Sequence, residues 1–181
     1  MNYEDVREVT RERFLAAMTA EKGDRFAKTF VSKADTQSLW DRAVGLFTDD
    51  GELMGCIITT HSKREPVVTN LQLLHTFVKH RGKGVGRVLV DYALFGSRVW
   101  GAEYFRVSSE KDAIDFYKKC GFEFAGRQKS GCQLSIFRWE GAGIRVHDYT
   151  DPVIRAAVFR KGKGGCVEIF FEDPVQTLET L

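Results

Sequence analysis

Between an apolar run ending at Phe77-Val78 and an amphipathic run beginning at Val85, the chain reads His80-Arg81-Gly82-Lys83-Gly84-Val85-Gly86. Glycine at alternate positions, with a helical repeat starting inside the segment, constrains the fold more than any other stretch. Val85, Val88, Leu89, Tyr92 and Ala93 recur at the spacing of one helix face, which predicts a helix closed near Gly96. The first turn of a helix leaves backbone N–H groups unpaired and carries the positive end of its dipole. Glycines let the chain turn tightly there and admit an anion with no Cβ in the way. A strand passing through such a turn into a helix predicts a cradle for phosphate or pyrophosphate, with Arg81, Lys83 and Arg87 adding charge at its rim.

Other glycine motifs fit less well. A Walker loop needs G-x-x-x-x-G-K-[ST], and neither that spacing nor its terminal Lys-Ser/Thr is present. A dinucleotide fingerprint needs G-x-G-x-x-G after the first strand of a βαβ unit, and the upstream sequence reads as antiparallel strands instead. A solvated turn without a ligand is the plain alternative. It is the preferred reading for the second glycine-rich stretch, Lys161 to Gly165.

Around the segment the pattern is that of a mixed α/β fold. Tyr3 to Val9 predicts a first strand, and Thr10 caps a helix ending near Gly23. Residues 24 to 42 suggest one or two short helices, with Asp35 as a cap. Ala43 to Phe47 and Leu53 to Ile58 flank an Asp50-Gly51 turn, a hairpin signal. Val67 to Val78 predicts a long strand. Tyr104 to Val107 is a further strand, Asp112 to Lys119 a helix stopped by Gly121, and Phe122 to Ala125 and Cys132 to Phe137 two more strands. This order predicts mixed layers, a twisted sheet flanked by helices. Gly141-Ala142-Gly143 reads as a linker to a C-terminal hairpin pairing Ala156–Phe159 with Cys166–Phe171. The expected organisation is a domain over 1–140 and a hairpin extension over 141–181, packed on that domain or on a partner subunit, its edge a natural homodimer surface.

A net charge of +2 gives no general nucleic-acid signature. The four cysteines form no C-x-x-C pair and have no histidine at ligand spacing, so no metal site is expected. Three of them lie in apolar runs and read as reduced small hydrophobes. With no secretory pattern and no apolar membrane-length stretch, a cytoplasmic protein without a membrane partner is expected. Trp40, Trp100, Trp139 and Phe170-Phe171 read as core or interface.

Leu74 to Leu89 resembles the central motif of the GNAT N-acetyltransferase superfamily: a strand, then [Q/R]-x-x-G-x-[G/A], then a helix. Arg81, Gly84 and Gly86 fill its three defined positions. Ala113-Ile114-Asp115-Phe116-Tyr117-Lys118-Lys119-Cys120-Gly121-Phe122 is similar to a second motif of that family, in the right order, and the likeness spans about residues 40 to 139. The resemblance implies a GNAT-like sheet and an enzyme transferring an acyl group from acyl-CoA, with acetyl-CoA the expected co-substrate, directly to an amine acceptor. It implies that the backbone of Arg81, Gly82, Lys83, Gly84, Val85 and Gly86, with Arg87, holds the coenzyme A pyrophosphate. Thr76, Phe77 and Val78 would bind the pantetheine arm and polarise the thioester carbonyl. Tyr117 would protonate the departing thiolate.

The general base does not carry over. Family members often place Glu or His a few residues before the loop, where this chain has Asn70 and Gln72. His75 is the remaining catalytic candidate, but strand alternation puts it on the face opposite Asn70 and Gln72 unless a bulge re-aims it. Before the tyrosine helix many relatives have Asn where this chain has Glu110, so Ser108 and Ser109 are the expected substitutes in holding the coenzyme. Two other functions compete: a non-catalytic acyl-CoA-binding module on the same fold, and a nucleic-acid or tRNA-modifying enzyme suggested by Lys63-Arg64, Lys79-His80-Arg81 and Arg160-Lys161.

Overall fold

A computed structural model describes residues 5–19, 25–62, 67–138, 144–147, 153–154, 158–161 and 167–170. It is a mixed α/β fold with an open, mostly antiparallel sheet flanked by helices. The chain forms two compact units, one of residues 1–60 and 71–96, the other of residues 61–70 and 97–181.

In the first unit, β1 (Val6–Glu8) pairs antiparallel with β2 (Ala43–Phe47), and β2 with β3 (Leu53–His61) across the expected turn. Strand β4 (Val68–Thr76) lies beside β3. Helix α1 (Arg11–Met18) begins where Thr10 Oγ1 accepts the Arg13 N–H at 3.3 Å. Residues 24–42 hold the α-helix α2 (Arg25–Thr36) and a 3-10 turn at Trp40–Arg42, within the expected one or two helices. In α2, Ala27, Phe30 and Ala34 recur along one face and are all buried. The helix ends at Ser38, which takes a left-handed φ of 52°, while Leu39 N–H reaches back to the Ala34 carbonyl at 2.9 Å.

Asp35 does not cap a helix start. Its carboxylate accepts Arg11 Nε at 2.7 Å and Nη2 at 2.8 Å, and Trp40 Nε1 at 2.7 Å. Those bonds, the Arg11 hydrogen bond foremost, hold its pKa down at about 2. The same node joins α1 to α2 over an aromatic core. The Phe14 and Phe30 rings stack at 4.5 Å, with Trp40 at 5.6 Å and Phe77 at 5.3 Å from Phe14.

Helix α3 (Val85–Val99) packs on β3 at Gly55. A Cβ there would sit 2.7 Å from the His75 carbonyl oxygen and 2.9 Å from Val85 Cγ1. The helix does not stop at Gly96, which is exposed with open space around it; it ends at Gly101, whose φ is 94°. A glycine on a solvent face only weakens a helix, whereas a left-handed φ terminates one.

In the second unit, β5 (Tyr104–Ser109) and β6 (Glu123–Gln128) each pair antiparallel with β7 (Gln133–Arg138). Helix α4 (Ile114–Lys119) follows a 3-10 turn at Lys111–Ala113 and is closed by Gly121, φ 90°. Phe122 centres the core, 5.8 Å from Phe105 and 5.5 Å from both Phe137 and Tyr117. Strands β8 (Ile144–His147) and β9 (Val153–Ile154) follow, β9 parallel to β6. The expected C-terminal hairpin is present as β10 (Val158–Lys161) antiparallel to β11 (Val167–Phe170), with β8 parallel on the other side of β11. The Gly141–Gly143 linker, the 162–165 turn, Trp139, Cys166 and Phe171 lie outside the described residues. Cys56 and Cys120 are buried thiols. Trp100, expected in core or interface, is 55% exposed and stacks on the His61 ring at 4.1 Å.

Two outcomes follow from this packing. Gly55→Ala should cost about 1–3 kcal/mol in urea unfolding, because backbone rather than a flexible side chain blocks the new methyl. Because the pKa of Asp35 is lowered on folding, its stabilising effect is present above the ordinary carboxylate range and is lost as pH falls toward about 2. Urea midpoints of the parent and Asp35→Asn should therefore differ at pH 7 and converge near pH 2.

Candidate active site

The glycine loop belongs wholly to the first unit. Strand β4 ends at Thr76, two residues earlier than expected, and Phe77 anchors the exit. Its side chain is buried in the aromatic core and its N–H donates to the Met54 carbonyl at 3.1 Å. A 3-10 turn over Val78–His80 follows, then Arg81 in extended conformation. Gly82 and Gly84 take φ values of 73° and 83°, conformations open to glycine at no steric cost. A Cβ built on either would meet nothing within 4 Å, so the outer side of the turn is open. The other anchor is Val85, buried where α3 begins.

The first helical carbonyl taken up is that of Gly84, by Val88 N–H at 3.1 Å. The N–H groups of Gly82 to Gly86 thus precede the helical ladder, as an anion cradle requires. The residues present therefore fit a pyrophosphate. Charge at the rim is partly committed. Arg81 Nε donates to the Thr76 carbonyl at 3.0 Å, and Arg87 Nε lies 2.9 and 2.8 Å from the two Asp91 carboxylate oxygens. Lys83 and Val78 are exposed.

Glu52, which the sequence did not single out, buttresses this loop. Its carboxylate pairs with Lys79 Nζ and lies 3.5 Å from Nε2 of the buried His80. The Lys79 hydrogen bond, more than that from His80, draws the Glu52 pKa below the usual carboxylate range. Glu52 sits in the β2–β3 connection, far from Lys79 in sequence, so no local spacing announces the pair.

Along β4 the pleat slips between Gln72 and Leu73. Gln72 Nε2 donates to Thr60 Oγ1 at 2.8 Å, and Thr60 shares its strand face with Ile58 of the α1–α2 core. Leu73 and Phe77 pack on that core as well. Adjacent residues on one face mark the irregularity that strict alternation leaves out. It turns His75 inward, where its ring meets Phe77 at 4.9 Å, Phe14 at 5.8 Å and Phe30 at 6.3 Å. The Gln72 carbonyl accepts Lys33 Nζ of α2 at 2.9 Å.

The remaining candidates belong to the second unit. Asn70 Oδ1 accepts Arg106 Nε at 2.6 Å. Tyr117, on α4, is buried against Phe116 and Phe122, and that burial raises its phenol pKa well above the ordinary value, with Cys120 adding to the shift. Ser108 is exposed on β5. Its neighbour Ser109 is buried with an Oγ that has no hydrogen-bond partner, so a bound ligand could satisfy it. Among the described residues no His, Cys, Asp and Glu group is arranged to hold a metal, and no helix is long and apolar enough to cross a membrane.

Residues 41–124, which contain the loop, α3 and the tyrosine helix, match the family model of the acetyltransferase (GNAT) domain. By sequence, no curated protein is significantly similar to this chain. Solved structures are similar in fold. PaiA N-acetyltransferase from Thermoplasma acidophilum, in complex with coenzyme A, has a TM-score of 0.57 at 14% identity, over 74% of this chain and 98% of its own length. A GNAT family N-acetyltransferase (YhbS) from Escherichia coli, in complex with coenzyme A, has a TM-score of 0.57 at 19% identity over 91% of this chain and 88% of its own. Arabidopsis thaliana Naa50, bound to a bisubstrate analogue, has a TM-score of 0.53 at 18% identity over 74% of this chain and 97% of its own. Both glycine-loop and tyrosine motifs thus fall inside the stretch that matches the GNAT acetyltransferase domain, and the chain has a GNAT fold.

Proposed function

We propose that this chain is an acyl-CoA-dependent N-acyltransferase that moves an acetyl group from acetyl-CoA directly to an amine. The observation that carries the proposal is the open turn at Gly82 and Gly84, whose backbone N–H groups lead straight into α3. Those N–H groups hold the pyrophosphate, with Arg81, Lys83 and Arg87 at its edge. Backbone groups of Thr76, Phe77 and Val78 take the pantetheine arm, one of them polarising the thioester carbonyl. Ser108 and Ser109 replace the asparagine of many relatives; the unsatisfied Ser109 Oγ supports their part. Coenzyme A in the similar structures of PaiA and YhbS supports the same co-substrate.

The amine attacks the carbonyl carbon, the C–S bond breaks, and Tyr117 gives its phenolic proton to the thiolate. Burial raises the Tyr117 pKa, so the phenol stays protonated throughout the neutral range and keeps its proton available. No side chain near the middle of β4 is disposed as a base: Asn70 and Gln72 are amides engaged in hydrogen bonds, and His75 is enclosed by aromatic rings. The acceptor therefore reacts as an already neutral amine. The same observations favour a second reading, a module that binds acyl-CoA without turnover. The buried thiols of Cys56 and Cys120 fit a reducing compartment such as the cytoplasm.

Coenzyme binding, the behaviour of two variants and the course of turnover test this. Acetyl-CoA at a hundredfold excess over its Kd should stabilise the protein by about 2.7 kcal/mol, read as a rise in Tm. Gly84→Ala should cost only about 1–2 kcal/mol of folding stability, the strain of a left-handed alanine, yet weaken coenzyme A binding at least tenfold. With any amine that releases free thiol, Tyr117→Phe should lower kcat at least tenfold with coenzyme A affinity retained; an unchanged kcat eliminates the tyrosine's role. Turnover should rise with pH toward the acceptor's own pKa, without an alkaline decline from Tyr117 below about pH 10. Coenzyme binding with no thiol release across an amine panel would favour the non-catalytic module.

A further inference from the structure

His80 is a buried ring in an otherwise exposed stretch of chain. It stands directly before Arg81 at the entry to the glycine turn, between exposed neighbours, yet is only 6% exposed. Both ring nitrogens are shut off from solvent. Nδ1 has no hydrogen-bond partner, and Nε2 faces the Glu52 carboxylate at 3.5 Å, longer than an ordinary hydrogen bond. Among the described residues no other ionisable group pairs with the ring. Lys79 and Arg81 flank it along the chain. From α1, Arg13 Nη2 reaches the Gly51 carbonyl at 2.8 Å, and on α3 Arg87 is paired with Asp91.

A neutral imidazole carries one donor and one acceptor, and leaving them unmet in the interior is costly. The surroundings match the protonated ring better, because Nε2–H then meets a carboxylate of opposite charge. Glu52 is placed to receive it. Its N–H donates to Thr48 Oγ1 at 2.9 Å and its carbonyl accepts the Thr48 N–H at 2.9 Å, so the hairpin turn holds the acid in position. The Lys79 hydrogen bond keeps that carboxylate ionised. Across the gap, the His80 N–H donates to the Phe77 carbonyl at 2.9 Å, within the turn that leads into the loop. A proton on His80 thus closes the contact between hairpin and loop entry. It also sets a further positive charge directly before Arg81, where burial limits screening. Both effects favour an anion on the loop.

We propose that His80 couples coenzyme A binding to pH: the ring takes up a proton as the pyrophosphate settles on the glycine loop, and coenzyme affinity falls where the ring stays neutral. The inference rests on the acyltransferase reading above and adds regulation of its coenzyme site. The proton comes from the buffer and is held as N–H on the imidazole, with no other bond made or broken. By reciprocity, the factor by which protonation raises coenzyme affinity is the factor by which bound coenzyme raises proton affinity. The range concerned is about pH 6–8, where imidazoles ordinarily change charge.

The test is calorimetric and uses the whole chain. The ligand is 3′-dephospho-coenzyme A, because a terminal phosphate monoester itself changes charge near pH ~6. Titrations at about pH 6, 7 and 8 in buffers of different ionisation enthalpy separate proton uptake from the heat of binding. Net uptake is expected near neutrality, with Kd roughly fivefold or more higher at the alkaline end than at the acid end. His80→Gln should abolish the uptake and flatten the Kd profile. Glu52→Gln should move the rise in Kd to lower pH, since loss of the carboxylate disfavours the charged ring. Parent protein that binds the ligand with no proton uptake and a flat Kd overturns this inference alone. So does a folded His80→Gln protein that keeps the parent's profile. Should His80→Gln not fold, Glu52→Gln decides the matter, and an unchanged profile there overturns the coupling. Folded parent that binds neither this ligand nor coenzyme A overturns it together with the acyltransferase reading.

Discussion

The first unit is organised by a missing side chain. At Gly55 the strand offers helix α3 nothing but backbone, and Val85 and Leu89 settle into the space that a Cβ would take. That contact fixes where α3 begins, while the Phe77 side chain, held in the core beside Phe14, fixes where β4 lets go. The chain must cross between those two anchors in a few residues. Left-handed backbone at Gly82 and Gly84 accomplishes the turn, and open space surrounds the position of a Cβ at each. This open glycine turn is therefore a consequence of close helix–sheet packing as much as of the glycine spacing itself.

Charge around the cradle is balanced locally. Glu52 takes up Lys79 and Asp91 takes up Arg87, while the Nε of Arg81 serves the backbone at Thr76. Surface pairs of this kind add little to stability. Their effect is positional: they steady the two ends of the loop and limit the free positive charge beside it. What the turn itself presents is a set of fixed backbone dipoles rather than a diffuse basic patch.

Much of the fold was legible in the sequence because local chemistry and tertiary structure agreed. Asp50-Gly51 marks a hairpin, Thr10 caps α1, and Gly121 closes α4, each through a backbone conformation that one residue decides. Where tertiary contacts took over, local signals misled. Asp35 resembles a cap by type, but Arg11 and Trp40 claim its carboxylate from a distance. Gly96 resembles a stop, yet on an exposed face it merely weakens a helix that continues to Val99. Period-two alternation placed His75 opposite Gln72, and the slip at Gln72–Leu73 brings it round into the aromatic core. Neither that slip nor the Glu52–Lys79 pair is encoded in spacing, since both depend on which strands become neighbours.

The contact between Asn70 and Arg106 bears on how such a chain could evolve. A carboxylate that acts as a general base must be free to collect a proton. Here the amide oxygen is already spoken for by a partly buried guanidinium at 2.6 Å. An aspartate substituted for Asn70 would meet that cation directly and be held ionised as half of an ion pair, too weakly basic to serve. Converting this strand to the other style of catalysis would require the arginine to change first or in the same step. A carboxylate at position 70 that is free to take a proton would thus need two coupled substitutions, at Asn70 and at Arg106, rather than one.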